Sequence, residues 1–249
     1  NSNSSNSFRH FIQHAYMFQV LCVCTSTFQS SWGAETGLWL EELTSPYYLL
    51  SEAGYTIDIC SIAGGSPSID PAALRSEFQS DSIVKFLNDE EAQEKFKDAK
   101  SLESIVQNGK IKEYCALYLC GGHGCVDDFY ENNSIKRAVE YIYNTKKGCV
   151  GAVCHGPFGL VKCLNEKGTS LLKGKFVAAF SNEEEESLGL LNTLPVRTED
   201  KVDEAGAICV PAAPWKANVV VDARLVTGQN PNSSQEMAFR MLDVLRTLG

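Results

Sequence analysis

The chain has 249 residues, of which 44% are hydrophobic, and its net charge is −9. This length fits one large α/β domain, or a domain with an insertion, and it is long enough to bury a sizeable core. The acidic balance, without any cluster of lysine and arginine, argues against nucleic acids and anionic membrane surfaces as partners. No stretch reads as a transmembrane span.

Strands alternate with helices along most of the chain. Residues 1–15 are rich in Asn and Ser, and we expect a disordered leader there. Runs of apolar and β-branched residues predict strands at 16–24, 55–60, 114–120, 148–153, 176–180 and 207–210. Amphipathic patterns predict helices at 36–50, 134–144 and 234–248, and residues 219–227 predict a hairpin that turns at Asp222–Ala223. This order predicts a mostly parallel sheet covered by helices on both faces.

Residues 72–112 differ in character from the rest of the chain. They are charged, with long polar helical faces and no strand signal. We expect a small helical insertion near the functional pocket, within a single domain that spans residues 16–249.

The ten cysteines are scattered through the predicted strands and helices. A disulfide scaffold is normally a short, loop-rich chain, so this distribution predicts free thiols in a reducing compartment. We therefore expect a cytoplasmic protein.

The segment Gly148–Pro157 predicts a nucleophile elbow. Small and β-branched residues lead to Cys154, and His155-Gly156-Pro157 then opens an amphipathic segment, Phe158–Leu164. In such a strand–turn–helix unit the nucleophile stands on a strained turn above the sheet. A helix N-terminus and a nearby histidine favour the thiolate, so we expect Cys154 to be the most reactive thiol, with a lowered pKa. The alternative is a buried structural cysteine at a strand end.

A second candidate segment is the glycine-rich turn Gly121–Gly124, which follows the strand predicted at 114–120. The carboxyl ends of parallel strands gather ligands, so this turn and the Cys154 elbow are expected to share a pocket. Gly122 and His123 are candidate oxyanion or substrate-binding residues, together with the N–H of His155. An ordinary glycine-rich turn is the alternative.

These motifs resemble the ThiJ/PfpI superfamily, and several further segments resemble its glyoxalase III branch, also called the glutathione-independent glyoxalase or heat-shock protein 31-like branch. The segments are Thr36–Gly37 with Glu42 and Pro46, Ser61–Gly65, Ile69–Pro71, Leu172–Lys175, Pro214–Trp215 and Leu225–Pro231. The resemblance covers roughly residues 17–248. It implies a flavodoxin-like α/β sandwich of the class I glutamine amidotransferase-like type.

The resemblance also implies roles for individual residues. Cys154 matches the nucleophile, His155 the catalytic histidine, and Glu42 the glutamate whose carboxyl group contacts the sulfur. The third acid falls in the run Glu183–Glu186, where counting from both sides gives Glu185. For the other three glutamates, a solvated first helical turn is the better interpretation.

The implied activity is a lyase of the D-lactate dehydratase class. It would convert methylglyoxal and related 2-oxoaldehydes to 2-hydroxy acids through a cysteine thiohemiacetal. This scheme needs no metal, nicotinamide or glutathione, so we expect no cofactor and a small-molecule substrate. A homodimer is also expected.

Several alternatives remain open on the sequence alone. A cysteine amidase, peptidase or protein deglycase would use the same Cys–His pair, and a holdase chaperone or a redox sensor would need no turnover. A glutamine amidotransferase is disfavoured because no histidine follows His155. A zinc site at Cys115, Cys120 and Cys125 with His123 is disfavoured because no Cys-x-x-Cys pair exists.

Overall fold

A seven-stranded sheet forms the centre of the computed structural model, which describes residues 18–248. The described residues form nine strands, which are β1 (Gln19–Cys24), β2 (Thr56–Ser61), β3 (Lys100–Ser101), β4 (Ala116–Leu119), β5 (Cys149–Val153), β6 (Phe176–Val177), β7 (Ile208–Cys209), β8 (Val219–Asp222) and β9 (Leu225–Gly228). All but β6 and β7 belong to this sheet. The order in the main sheet is β3-β2-β1-β4-β5-β9-β8. All neighbours are parallel except β8 and β9, which form an antiparallel hairpin. The predicted mostly parallel sheet is confirmed.

Helices cover both faces of this sheet. They are α1 (Glu41–Glu52), α2 (Asp81–Asn88), α3 (Glu90–Lys97), α4 (Leu102–Gln107), α5 (Cys125–Asp128), α6 (Asn133–Glu140), α7 (Asn182–Ser187), α8 (Thr198–Glu204) and α9 (Ser234–Leu248). Buried residues of α1, α2, α3 and α9 belong to the core on one face, and those of α4, α5, α6 and α8 to the core on the other. The predicted flavodoxin-like sandwich is therefore confirmed.

Strand β1 shows why the central strands read as continuous apolar runs. Val20, Cys22 and Cys24 belong to the first core, whereas Leu21 and Val23 belong to the second. Successive side chains on a strand point to opposite faces, so a strand that is covered on both sides must be apolar at every position.

Several element boundaries differ from the prediction. The helix expected from Thr36 begins at Glu41, and the hairpin turn lies at 223–224, one residue later than predicted. Residues 176–180 and 207–210 contribute only β6 and β7, which pair with each other in a separate two-stranded sheet. Residues 1–17 lie outside the described part of the chain.

The expectation that residues 72–112 contain no strand is wrong at Lys100–Ser101. These two residues form β3, which pairs with β2 at the edge of the main sheet. A two-residue edge strand is too short to produce a periodic pattern, so the sequence gives no sign of it. Helix α4 follows immediately and buries Leu102 and Ile105 in the second core.

The topology brings three chain segments together at the carboxyl ends of the central strands. Strands β1, β4 and β5 are parallel neighbours, so the loops after Cys24, Leu119 and Val153 leave the sheet together. Among residues 18–248, no helix combines the length and apolar character needed to cross a membrane.

Candidate active site

Cys154 lies on a strained turn directly after β5. Its φ is 60°, in the left-handed region that non-glycine residues rarely adopt, and the side chain is buried. Its N–H donates to the Gly228 carbonyl at 2.9 Å, and its carbonyl accepts from the N–H of Phe180 at 2.9 Å. Such a conformation costs about 1–3 kcal/mol and persists only where surrounding contacts impose it. The strand and sharp turn of the predicted elbow are present.

The element after the turn is shorter than predicted. It is a 3-10 helix at Gly156–Leu160, not an amphipathic α-helix that continues to Leu164. Five residues of 3-10 helix align few peptide dipoles, so the helix stabilises a thiolate at Cys154 less than the sequence led us to expect.

His155 contacts both the Cys154 thiol and the Glu185 carboxylate. Its Nδ1 lies 3.1 Å from Sγ of Cys154, and its Nε2 lies 2.8 Å from Oε1 of Glu185. An ionised carboxylate only accepts hydrogen bonds, so Nε2 carries the proton and Nδ1 presents its lone pair to the thiol. This geometry places an unprotonated ring nitrogen of His155 within reach of the Cys154 proton.

His123 completes this group in a way that the sequence did not predict. Its Nε2 lies 3.1 Å from Oε2 of Glu185, so the two imidazoles share one carboxylate. The ring centroids of His123 and His155 are 4.1 Å apart. The sequence suggested only an oxyanion or substrate-binding role for His123. The signal for a second role was its position beside the elbow, at the carboxyl end of the neighbouring strand.

Burial and mutual contact set the charges of these groups. Burial, with the electrostatic effect of His123 acting in the same direction, lowers the pKa of His155 to about 4. Burial alone would raise the pKa of Glu185, but attraction to His155 and the hydrogen bonds from both imidazoles outweigh it and hold the pKa at about 2. At neutral pH the site therefore contains an ionised Glu185 and a neutral His155.

Glu42 is the second residue of α1 and is fully buried beside the Cys154 sulfur. Burial raises its pKa well above the ordinary value, although the adjacent Cys154 thiol and Gly121 N–H act in the opposite direction. Within residues 18–248, neither carboxyl oxygen makes a hydrogen bond of ordinary geometry. A neutral carboxylic acid is the form that fits, and it offers an O–H donor to the site.

Gly121 is the residue that allows this approach. A Cβ at this position would overlap the Glu42 carboxyl and the Val153 carbonyl, and would lie 2.8 Å from Cβ of Cys154. Gly122, with φ of 104°, lies against the backbone of Gly37 and Trp39 with equally little room. The glycines therefore let the two segments close around the thiol.

The expected lowering of the Cys154 pKa is wrong. Burial raises the pKa of the thiol well above its ordinary value, the adjacent Glu42 carboxyl adds to this rise, and the N–H of Gly122 opposes it. The resting residue is therefore a neutral thiol. Reaction of this thiol would require transfer of its proton to a base, and the Nδ1 of His155 lies within reach.

The four consecutive glutamates separate into two pairs. Glu183 and Glu186 are exposed, in agreement with the solvated turn predicted for them. Glu185 contacts the histidines, as the motif count predicted. Glu184 was expected to be solvated, yet it is fully buried and accepts hydrogen bonds from Ser181, Trp215 and Asn230.

A small, mostly apolar cavity of about 250 Å³ leads to the thiol. Gly122 and His123 line it beside Cys154, in agreement with their predicted position. Its other lining residues are mainly large and apolar, namely Trp39, Phe78, Phe180, Leu188, Trp215 and Pro231. Such a cavity admits a small molecule and excludes most water.

The cysteines of the zinc alternative are not gathered around His123. Cys120 and Cys125 are buried, and the thiol of Cys115 donates to the Gln19 carbonyl at the far end of β4. In the described part of the chain, the group that could offer three metal ligands is His123, His155 and Glu185, whose ligand atoms lie within 4.8 Å of one another. These three residues are the ones joined by hydrogen bonds beside Cys154.

Comparisons with known proteins agree with the resemblance seen in the motifs. The profile of the DJ-1/PfpI family matches residues 35–244. The chain is 32% identical to the glutathione-independent glyoxalase hsp3101 of Schizosaccharomyces pombe, across 87% of this chain and 90% of that protein. It is 29% identical to glyoxalase 3 of Candida albicans, across 89% and 96%.

Solved structures share the same architecture. The Rapid Encystment Protein 24 KDa of Francisella tularensis superposes with a TM-score of 0.84 at 38% identity, covering 91% of this chain and 98% of that one. Glyoxalase III from Candida albicans superposes with a TM-score of 0.82 at 27% identity, covering 92% and 98%. By motif, fold and overall similarity, the chain belongs to the DJ-1/PfpI family.

Proposed function

We propose that the protein is a glutathione-independent glyoxalase that converts methylglyoxal and related 2-oxoaldehydes to 2-hydroxy acids such as D-lactate. The observation that carries this proposal is the pairing of two neutral groups on the Cys154 sulfur, the Nδ1 of His155 and the buried carboxyl of Glu42. The similarity to proteins named as glyoxalases supports it.

The first step forms a thiohemiacetal. His155 Nδ1 accepts the thiol proton while Sγ of Cys154 attacks the aldehyde carbon, and the proton passes to the former carbonyl oxygen. The N–H of Gly122, which faces the sulfur, stabilises the negative charge that develops on that oxygen. Since the thiol proton moves only on attack, the raised thiol pKa is compatible with this step.

The second step moves hydrogen between adjacent carbons. His155 removes the proton from the carbon bonded to sulfur, which gives an enediol, and returns a proton to the neighbouring carbon. Glu42 donates its proton to the oxygen on the neighbouring carbon and takes up the proton of the hydroxyl on the carbon bonded to sulfur, so the acid is regenerated in the same step. The product is a thioester of Cys154, formed without any net oxidation or reduction.

Water then hydrolyses this thioester. Attack at the carbonyl carbon breaks the carbon–sulfur bond, the 2-hydroxy acid leaves, and the thiol regains its proton. Glu185, ionised and bonded to both imidazoles, keeps His155 in the tautomer that each step requires.

Purified protein with methylglyoxal and no added thiol tests the proposal directly. We expect stoichiometric lactate, and no lactate from the Cys154→Ala variant. A wild-type protein that stays folded and makes no lactate would refute it. Glutamine and short peptides serve as parallel substrates: faster release of ammonia or amino acids than of lactate would favour a hydrolase, in which the same Cys154 and His155 attack an amide.

The assembly and compartment of the protein stay predictions. We expect a homodimer, which light scattering of the purified protein would reveal, and a cytoplasmic location, which imaging of a tagged chain would reveal.

A further inference from the structure

Two cavities lie side by side at the active site. The cavity of about 250 Å³ leads to Cys154, and a wider groove of about 900 Å³ lies outside it. Four residues line both spaces, namely Trp39, Phe78, Trp215 and Pro231. These four residues therefore form the boundary between the nucleophile and the groove.

Trp215 occupies this boundary in a conformation that must be imposed on it. Its φ is 63°, a left-handed value that is unfavourable for a bulky side chain. Its ring packs edge-on against Phe180, with centroids 5.7 Å apart, and remains 39% exposed. A half-exposed ring supplies too little packing to hold such a backbone by itself, so the hydrogen bonds of the main chain must contribute.

The carboxyl group of Glu184 accepts the hydrogen bond from the backbone N–H of Trp215. Its Oε1 accepts from the backbone N–H of Trp215 at 2.9 Å and from Nδ2 of Asn230 at 2.7 Å. Its Oε2 accepts from the N–H and the hydroxyl of Ser181, each at 3.0 Å. On the other side of Trp215, Nδ2 of Asn232 donates to its carbonyl at 2.8 Å. The four hydrogen bonds to Glu184 hold its carboxyl group in place, and none of them comes from the Cys154 sulfur or from a histidine.

We propose that Trp215 determines the substrate size, and that Glu184 is the positioning residue that holds it. The ring narrows the passage between the small cavity and the groove, so the site favours 2-oxoaldehydes with a small substituent over those with an aromatic or long one. The substrate class in this statement rests on the proposed function. The size restriction itself rests on the cavity, the backbone of Trp215 and the contacts of Glu184.

Substitution of Trp215 tests the size restriction with two substrates. Trp215→Gly removes the ring and accepts a positive φ without strain. We expect the ratio of kcat/KM for phenylglyoxal over methylglyoxal to rise by at least about tenfold, mainly through KM, since one pocket contact typically discriminates by 10- to 200-fold. Trp215→Phe keeps a ring at the boundary and should restore most of the discrimination. Phe239→Ala, an exposed aromatic outside both cavities, is the matched control and should leave the ratio unchanged.

Alkylation of Cys154 provides a readout that does not depend on turnover. Iodoacetamide is small and N-phenylmaleimide is bulky, and mass spectrometry of the Cys154 peptide separates this thiol from the other nine. In Trp215→Gly the rate with the maleimide should rise relative to iodoacetamide by about the same factor as the kinetic ratio. An unchanged ratio would overturn the inference even in a protein that makes lactate. A changed ratio in a protein that makes none would leave the inference standing and refute the proposed function.

Glu184→Gln tests the positioning role. The amide keeps the shape, but its NH₂ group faces hydrogen-bond donors, so the Trp215 segment should loosen. The alkylation ratio should move in the same direction as in Trp215→Gly, by a smaller factor. Should this variant fail to fold, Asn232→Ala, at an exposed residue, frees Trp215 from its other side and should produce the same direction of change. A ratio equal to that of the wild type in the folded variant would exclude the positioning role.

Discussion

Two cysteines occupy equivalent places on neighbouring strands and differ in what surrounds them. Cys120 directly follows β4, and Cys154 directly follows β5. Both belong to the first core and both are buried. Burial raises the pKa of each thiol well above its ordinary value. Burial and position at a strand end therefore do not distinguish a structural thiol from a nucleophile.

The neighbours of the two sulfurs do distinguish them. Cys120 faces the thiols of Cys22 and Cys24, which offer no base. Cys154 faces the Nδ1 of His155 and the carboxyl of Glu42, and it borders the small cavity. A proton acceptor within reach and an entry path make a buried thiol reactive, even though its resting pKa is high.

The largest difference in activity is expected between two variants in which one or the other of these cysteines is replaced by alanine. Cys154→Ala should reduce lactate formation by at least about a thousandfold, because no other group can hold the thiohemiacetal. Cys120→Ala should retain most activity and cost about 1 kcal/mol of unfolding free energy, as a small buried apolar side chain is shortened. Lactate assays and denaturant melts of both variants check this. Equal losses of activity would show that Cys154 is not the nucleophile.

Removing the acid beside the sulfur should have the next largest effect. Glu42→Gln keeps the shape but cannot transfer a proton, so turnover should fall by about a hundred- to a thousandfold. The fold should persist, since the amide replaces a neutral acid that makes no ordinary hydrogen bond in the described structure. Steady-state kinetics and a thermal melt measure the two quantities. Activity near that of the wild type would remove Glu42 from the mechanism.

The shared carboxylate should matter less than Glu42. Glu185→Gln leaves one oxygen to accept from the two imidazoles and places an NH₂ group against the other, so one histidine must change tautomer. We expect a loss of about ten- to a hundredfold in kcat. The variants His123→Ala and His155→Ala show which imidazole matters, because only the loss of His155 should approach the effect of Cys154→Ala.

The sequence was sufficient for the features that depend on local pattern or on family motifs. Apolar runs located β1, β4 and β5, and the boundaries predicted for α9 match those of the structure. The elbow, Glu42 and Glu185 followed from motifs and their spacing. Each of these features is encoded in residues that are adjacent or nearly adjacent in the chain.

Features that depend on tertiary surroundings were missed. Burial sets the pKa of the Cys154 thiol, and no local sequence pattern reports burial. The argument from a helix dipole therefore predicted a lowered pKa, whereas the pKa is raised. Glu184 and Glu185 are adjacent on α7 but project in different directions, one toward Trp215 and one toward the histidines. The role of Glu184 depends on Trp215 and Asn230, which lie later in the chain and come close to it only in the folded protein. The run of four glutamates therefore does not reveal it.

The smallest expected effect is a dependence of kcat/KM on pH. It would come from His155, which neighbours Cys154 and not Cys120. The groups that face His155 are Cys154, His123 and Glu185. Because burial lowers the pKa of His155 to about 4, the imidazole should lose its lone pair only below that pH, and kcat/KM should fall about tenfold per pH unit there. Glu185→Gln removes a negative charge from His155, so its acid limb should shift to lower pH.

The same groups affect stability with a definite sign. His155 and Glu185 both have a lower pKa in the folded state than the ordinary values of 6.5 and 4.5, so the unfolded chain takes up protons first as the pH falls. Their stabilising contribution is complete above about pH 6.5 and is lost through about pH 4 for His155 and about pH 2 for Glu185. Thermal melts from about pH 6.5 downward should show a steady decrease in Tm. Glu185→Gln should keep the part of the decrease that belongs to His155 and lose the part below about pH 4.5 that belongs to Glu185, whereas Cys120→Ala should retain both parts. A Tm in the wild type that stays constant from pH 7 to pH 4 would contradict a buried neutral His155, and with it the base that distinguishes Cys154 from Cys120.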